Sequence, residues 1–217
     1  MKKGFIFDLD GVIVDTAKYH YLAWKKLANQ LGFEFTKEQN ELFKGVSRKR
    51  CLDILLEIGN IEATQEQLDT WMVEKNVDYL AYIENMDVSE ILPDVPEVLE
   101  FLKKRNIAIA LGSASKNARP ILEKVNLLHY FDVIVDGNNV TKAKPDPEVF
   151  LLAAKQLGVD AKDCIVFEDA VAGIEAANAA NMISIGIGDE NVLYEAQFNF
   201  TDFTEIITEL IEELINR

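Results

Sequence analysis

The second half of the chain alternates short apolar runs with stretches of helical period. IAIALGS at 107–113, FDVIVDG at 131–137, CIVFED at 164–169 and MISIGIG at 182–188 each end in Gly, Ser or Asp and read as strands. The segments 94–104, 118–125, 146–157 and 170–180 read as helices, the first opened by Asp94-Val95-Pro96-Glu97. A last amphipathic helix is expected over 204–215. Strands alternating with helices of about ten residues predict βαβ units and a mostly parallel sheet. The apolar run 4–8 has the same character and belongs with that sheet.

Between 16 and 88 the pattern is helical without strands. A helix over 17–31 stops at Gly32, and Ser47 caps a helix that runs to Ile58 before Gly59. Thr64-Gln65-Glu66-Gln67 is a capping box for a long helix reaching Glu84. The organisation predicted is a Rossmann-like α/β core built from 1–15 and 89–217, with an all-helical domain, 16–88, inserted after the first strand. Ligands of open α/β sheets bind beyond the carboxyl ends of the strands, so such an insert stands over the crevice.

Chemistry gathers at those strand ends. Asp8 and Asp10 follow the first strand, Ser113 the second, Asp136 the third, and Glu168 with Asp169 the fourth, while Lys144 precedes a helix in TKAKPDP. One strand-end Asp is ordinarily a turn or cap residue. Carboxylates from several segments at one edge repel unless a cation is present, and oxygen donors of this kind suit Mg²⁺. An EF-hand opened by Asp8-Leu9-Asp10-Gly11 is excluded, because its last position holds Tyr19 instead of glutamate. An aspartate can attack phosphorus, and a lysine and a hydroxyl beside it offset charge on the transferring oxygens.

Charge sharpens this picture. The chain has 22 basic and 37 acidic side chains, a net charge of −15. That argues against nucleic acid and anionic membranes as partners. An anionic substrate then requires a local cluster of cations. Two cysteines, Cys51 and Cys164, are too few for a disulfide framework. No signal peptide or spanning apolar run is visible, so a cytoplasmic, soluble protein is expected. A small-molecule substrate and a monomer are further expectations.

The run DLDGV at 8–12, then Ser113, Lys144-Pro145 and Glu168-Asp169, resembles in order and spacing the four motifs of the haloacid-dehalogenase-like (HAD) phosphotransferases. DGVIVDTAKYH (10–20), KGVSR (44–48), SASKN (113–117) and FEDAVAGIEA (167–176) extend the resemblance over essentially the whole chain. It implies Asp8 as nucleophile, Asp10 as general acid/base, and Mg²⁺ held by Asp8, Glu168, Asp169 and the main-chain carbonyl of Asp10. Ser113 and Lys144 would hold the transferring phosphate, and Thr16 and His20 would stand beside Asp10.

The insert carries the more specific implications. Thr16, His20, Trp24, Leu27 and Leu31 form one helical stripe, and Lys75 interrupts the apolar face made by Leu68, Met72, Tyr79, Tyr82 and Met86. A snorkelling lysine is the bland explanation; the resemblance makes Lys75 a contact to sugar hydroxyls and Trp24 an apolar wall. Gly45, Val46, Ser47 and Arg48 form a turn into a helix N-terminus. The resemblance gives Arg48 the phosphate that is not being transferred, with Ala114, Ser115, Lys116 and Asn117 opposite. Two phosphate sites suit a bisphosphate intermediate, so the expected reaction interconverts β-D-glucose 1-phosphate and D-glucose 6-phosphate. Phe43 and Cys51 depart from the family beside Arg48, and Ala170-Val171 vary after Asp169. A phosphatase of the same fold, and a binding protein without turnover, remain alternatives.

Overall fold

The computed structural model describes residues 2–206 and 208–217. Its elements in chain order are β1 (Gly4–Phe7), α1 (Ala17–Gln30), α2 (Lys37–Asn40), α3 (Arg48–Gly59), α4 (Gln65–Tyr82) and α5 (Val95–Lys104). There follow β2 (Ala108–Gly112), α6 (Ala118–Lys124), β3 (Val133–Val135), α7 (Glu148–Leu157) and β4 (Cys164–Glu168). The chain ends with α8 (Val171–Ala179), β5 (Ile183–Ile187), β6 (Phe198–Phe200) and α9 (Thr208–Asn216).

All the strands are parallel in one six-stranded sheet of order β3-β2-β1-β4-β5-β6. β1 is flanked by β2 and β4, so the order reverses there, and a crevice opens at the carboxyl ends of these central strands. Alternation along the strands sorts the core into two layers. Phe5, Phe7, Ile109, Leu111, Ile165 and Phe167 pack with α5, α6 and α9 on one face. Ile6, Ala110, Val135 and Val166 pack with α7 and α8 on the other. Phe7 stacks on Phe167 at 4.7 Å, and Phe167 on Phe203 at 5.5 Å, directly below the acidic strand ends.

The helices α1 to α4 have their own core around Trp24, Leu27, Phe35, Phe43, Leu52 and Leu55. The outgoing and returning segments pair at the neck of this insert: Asp15 N donates to the Glu90 carbonyl at 2.9 Å, and Leu92 N to that of Ile13 at 3.0 Å. Lys18 and Tyr19 both bond the Glu90 carboxylate.

Several expected boundaries move. Gly59 lies inside α3, and the left-handed residue that ends the helix is Asn60, at φ 51°. The Thr64–Gln67 capping box forms as expected, but α4 gives way to a 3₁₀ turn at Ile83–Asn85. Asp94 adopts φ 58° without capping α5 through its side chain. A short 3₁₀ turn at Phe203–Glu205 stands where the tail helix was expected to begin, α9 starts at Thr208, and Ile207 lies outside the described residues, as does Met1. β6 and the four-residue α2 were not foreseen. Asp136 is a turn residue, its carboxylate accepting from Asn138 N at 2.8 Å.

Phe203→Ala is expected to lower stability by about 3–5 kcal/mol through the cavity left under Phe7 and Phe167, read as a fall in the urea midpoint at unchanged m-value.

Candidate active site

Parallel register builds the acidic centre. Phe7 lies opposite Phe167 on β4 and Leu111 on β2, so Asp8 emerges beside Glu168 and Gly112, with Ser113 one residue beyond. Asp8, Glu168 and Asp169 present carboxylate oxygens within 4.8 Å of one another. Lys144, fully enclosed, reaches in from the loop before α7 and donates to Asp8 Oδ1 at 2.7 Å and to Glu168 Oε1. Burial alone would lower the lysine's pKa, but these two carboxylates raise it above the ordinary value.

One ammonium among these carboxylates leaves the cluster short of positive charge. Burial, then the charges of Glu168 and Asp8, pushes the Asp169 carboxyl well up, and burial also raises Glu168. Asp169 has no ion-pair partner among the described residues. Its place is set by close approach: a Cβ on Gly11, at φ +79°, would meet Asp169 Oδ2 at 2.1 Å, and one on Gly173 would meet Glu168 Oε1 at 1.8 Å. The Ala170 N–H, 3.0 Å from Glu168 Oε2, fixes the other oxygen. An all-oxygen set held this way, with unrelieved charge, fits a divalent cation.

Asp10 stands next to this cluster but outside it. Burial and the Asp8 charge raise its pKa to about 6. Thr16, the residue before α1, donates its hydroxyl to Asp10 Oδ1 and so makes no side-chain cap for its own helix. His20 Nε2 lies 3.8 Å from the same oxygen. Lys75 Nζ stands 3.0 Å from His20 Nδ1. Burial, Lys75 and Arg48 hold the imidazole pKa well below its usual range. The ring is therefore neutral; Nδ1 accepts from Lys75 and Nε2 carries the proton that faces Asp10.

Lys75 is buried, 3% exposed, so the interrupted stripe does not end in a snorkel. Its ammonium lies 4.7 Å from the Trp24 ring centre and 4.8 Å from that of Tyr79. Burial and the nearby Arg48 lower its pKa to about 7. Trp24 is core, 1% exposed and edge-on to Phe43, with one ring face turned to Lys75. Arg48 is half-buried in α3 and makes no hydrogen bond or ion pair among the described residues, while its charge acts on His20, Lys75 and Tyr79. Lys49 and Arg50 are exposed, Arg50 pairing with Glu57. Ser47 is committed to capping α3, its hydroxyl accepting from Arg50 N at 3.3 Å.

Gly45 joins the insert to the sheet domain. At φ +70° it lies so close to Ala170 that a Cβ would meet the alanine methyl at 2.5 Å. Val46 follows it half-buried, its carbonyl facing the Cys51 thiol. Cys51 is buried and its thiol is pushed up to about 12 by burial, which makes it an inert packing residue. Across the crevice, Ser113 Oγ accepts from Ser115 N at 3.1 Å and Ser115 Oγ from Asn117 N at 3.2 Å, folding the loop through Ala114 and Lys116. Lys116 is exposed.

Sequence reasoning missed Tyr79 as a site residue, because it reads as part of an apolar stripe. It is fully buried, its ring stacks on His20 at 4.2 Å, and its hydroxyl has no hydrogen-bond partner among the described residues. Its spacing of four from Lys75 was the signal that linked the two.

No helix among the described residues is long and apolar enough to cross a membrane. The sequence profile of haloacid dehalogenase-like hydrolases matches residues 2–181. A β-phosphoglucomutase of Bacillus subtilis is 40% identical over 213 residues, 97% of this chain and 94% of that protein. A fructose-1-phosphate phosphatase of Escherichia coli is 33% identical over 85% of this chain and 95% of its own. The crystal structure of a Clostridium difficile β-phosphoglucomutase superposes with a TM-score of 0.95 at 42% identity, covering 100% of this chain and 98% of the other. With the acidic strand ends, the lysine between them and a match over most of its length, the chain belongs to the haloacid dehalogenase-like hydrolase family.

Proposed function

We propose that the protein interconverts β-D-glucose 1-phosphate and D-glucose 6-phosphate through a phosphorylated Asp8 and a β-glucose 1,6-bisphosphate. The observation that carries this reading is Arg48, a half-buried arginine without an ion-pair partner among the described residues, whose charge acts on buried Lys75 in a protein of net charge −15. Two cations that raise each other's cost of burial call for an anion between or beside them. The acidic centre with Lys144 and Ser113 serves one phosphate, and Arg48 with 115–117 serves the other. A hydrolase of a monophosphate needs only the first.

Residues 16–88 act as a cap on the core formed by 1–15 and 89–217. Asp8, Glu168, Asp169 and the main-chain carbonyl of Asp10 are assigned to Mg²⁺, a small hard ion matched to oxygen donors. When bound, it offsets the carboxylate charges and the charge of the phosphoryl oxygens. The phosphoryl group on Asp8 passes to the sugar 6-hydroxyl, whose proton goes to the Asp10 carboxylate. The bisphosphate turns round, Asp8 attacks the phosphorus at C1, and Asp10 returns its proton to the departing C1 oxygen. A pKa of about 6 lets Asp10 serve both directions near neutrality. The Thr16 hydroxyl holds the Asp10 carboxylate with His20 Nε2–H facing it, and Lys75 meets sugar hydroxyls; Trp24, expected as an apolar wall, is instead buried in the insert core and backs Lys75. Gly45, Val46 and Ser47 present Arg48, the cap excluding water while Asp8 is phosphorylated.

All these groups come from one chain, so the active unit is assigned as a monomer. Two free buried thiols suit a reducing compartment, and the cytoplasm is the proposed location.

With Mg²⁺, β-glucose 1-phosphate and a trace of glucose 1,6-bisphosphate, the protein is expected to form glucose 6-phosphate with little free phosphate, and none from the α-anomer. Net phosphate release without isomerisation would make it a phosphatase. Arg48→Ala should cut mutase kcat/KM by about 10–100-fold, the worth of charge-assisted phosphate bonds, and leave acyl-phosphate hydrolysis nearly unchanged. Equal losses in the two assays would remove Arg48 from the second phosphate.

Asp10→Asn tests the buried charge. The folded carboxyl titrates near 6, above its ordinary 3.8, so ionisation costs stability as pH rises through that window and the cost is constant above it. With 29% of the side chain still open to solvent, magnesium-free Asp10→Asn should gain about 1–2 kcal/mol over wild type at pH 8 and nothing below about pH 4, read by urea unfolding.

A further inference from the structure

Asn76 follows Lys75 on α4 but points to a different neighbour. Its Oδ1 accepts a hydrogen bond from Asn117 Nδ2 at 3.0 Å, joining the helical insert to the sheet domain. The backbone around Asn117 is held from the sheet side, by the Ser113 and Ser115 hydroxyls and by Asn138, whose amide donates to the Lys116 carbonyl at 3.0 Å. The Asn117 side-chain amide, by contrast, is oriented from the insert.

A second bridge runs beside the first. Lys124 Nζ, in the last turn of α6, donates to the Glu84 carbonyl just past α4 at 2.7 Å. From Asn76 to Glu84 is about 12 Å at helical rise, and from Asn117 to Lys124 about 10.5 Å. The bridges are thus similarly spaced and tie the α4 segment to both ends of α6. On the other flank Gly45 is pressed against Ala170. The insert is thus seated on both sides of the crevice.

We propose that Asn76 is a positioning residue for substrate phosphate, aiming the Asn117 amide and so coupling the seating of α4, with Lys75, to occupancy of the 113–117 loop. This rests on the reading of 115–117 as a phosphate clamp. An amide nitrogen has two hydrogens; one is given to Asn76 and the other remains for a phosphate oxygen. Bonding to Asn76 fixes the side chain before the ligand arrives, which removes an ordering cost from binding. An anion on the second hydrogen in turn polarises the amide and strengthens its bond to Asn76. The same helix then brings Lys75 to the sugar.

The test compares wild type, Asn76→Ala, Asn117→Ala and the double variant, all with magnesium. Alanine is the better helix former, so Asn76→Ala keeps α4. Glucose 6-phosphate affinity is measured by calorimetry, amide exchange of α4 with and without that ligand, and KM and kcat with β-glucose 1-phosphate. Asn76→Ala is expected to weaken affinity and raise KM about fivefold, the worth of one hydrogen bond, with kcat less affected. Ligand protection of α4 should fall, and the change should add nothing in the Asn117→Ala background. Unchanged affinity, or an equal loss in both backgrounds, overturns the proposal. The mutase reading is judged separately, on isomerisation by the wild type. Failure there with the predicted affinity pattern intact would leave Asn76 its role in a phosphosugar site of another reaction.

Discussion

Desolvated carboxylate charge at the end of β1 is the constraint on which the rest of the structure depends. Parallel pairing with β4 brings Asp8 alongside Glu168, and the next residue adds Asp169. Lys144 compensates part of that charge by touching Asp8 and Glu168, and leaves the Asp169 and Asp10 carboxyls with raised pKa values. Such a centre is unfavourable in isolation, because a buried charge without a partner costs several kcal/mol. Its excess negative charge is what suits it to a cation, and the cation in turn suits it to phosphate. Gly11 and Gly173 serve this constraint, since any side chain there would displace a carboxylate.

The insert supplies the opposite pole. Arg48 and Lys75 lie close enough to depress the lysine, with no carboxylate paired to either cation among the described residues. Between the poles stands Asp10, bonded by Thr16 and faced by the imidazole of His20. The paired segments at the neck, through Ile13, Asp15, Glu90 and Leu92, let both chain connections leave the sheet together. The insert therefore meets the core as one body across a narrow joint, with Gly45 and Asn76 as its contacts on either flank.

The sequence by itself determined the parallel α/β class and most of the polar residues gathered at the strand ends. Short apolar runs with polar ends, helices between them and a strand-free stretch after Asp10 were enough to place Asp8, Ser113 and Glu168 at one edge, with Lys144 in the loop before a helix. Lys75 was legible because a charge in a helical apolar stripe breaks a regular pattern. Local chemistry was less legible. Phe198-Asn199-Phe200 is too short to show alternation, and Asn60 took the left-handed place that Gly59 advertised. Only the tertiary structure decided that Asp136 turns a loop, that Tyr79 lies under His20, and that Asn76 reaches Asn117. Periodicity records which face of an element is buried. It does not record which element covers that face, and hydrogen bonds and charge interactions fall off within a few ångströms. The roles of Tyr79 and Asn76 therefore arise from distances that one-dimensional order leaves unstated.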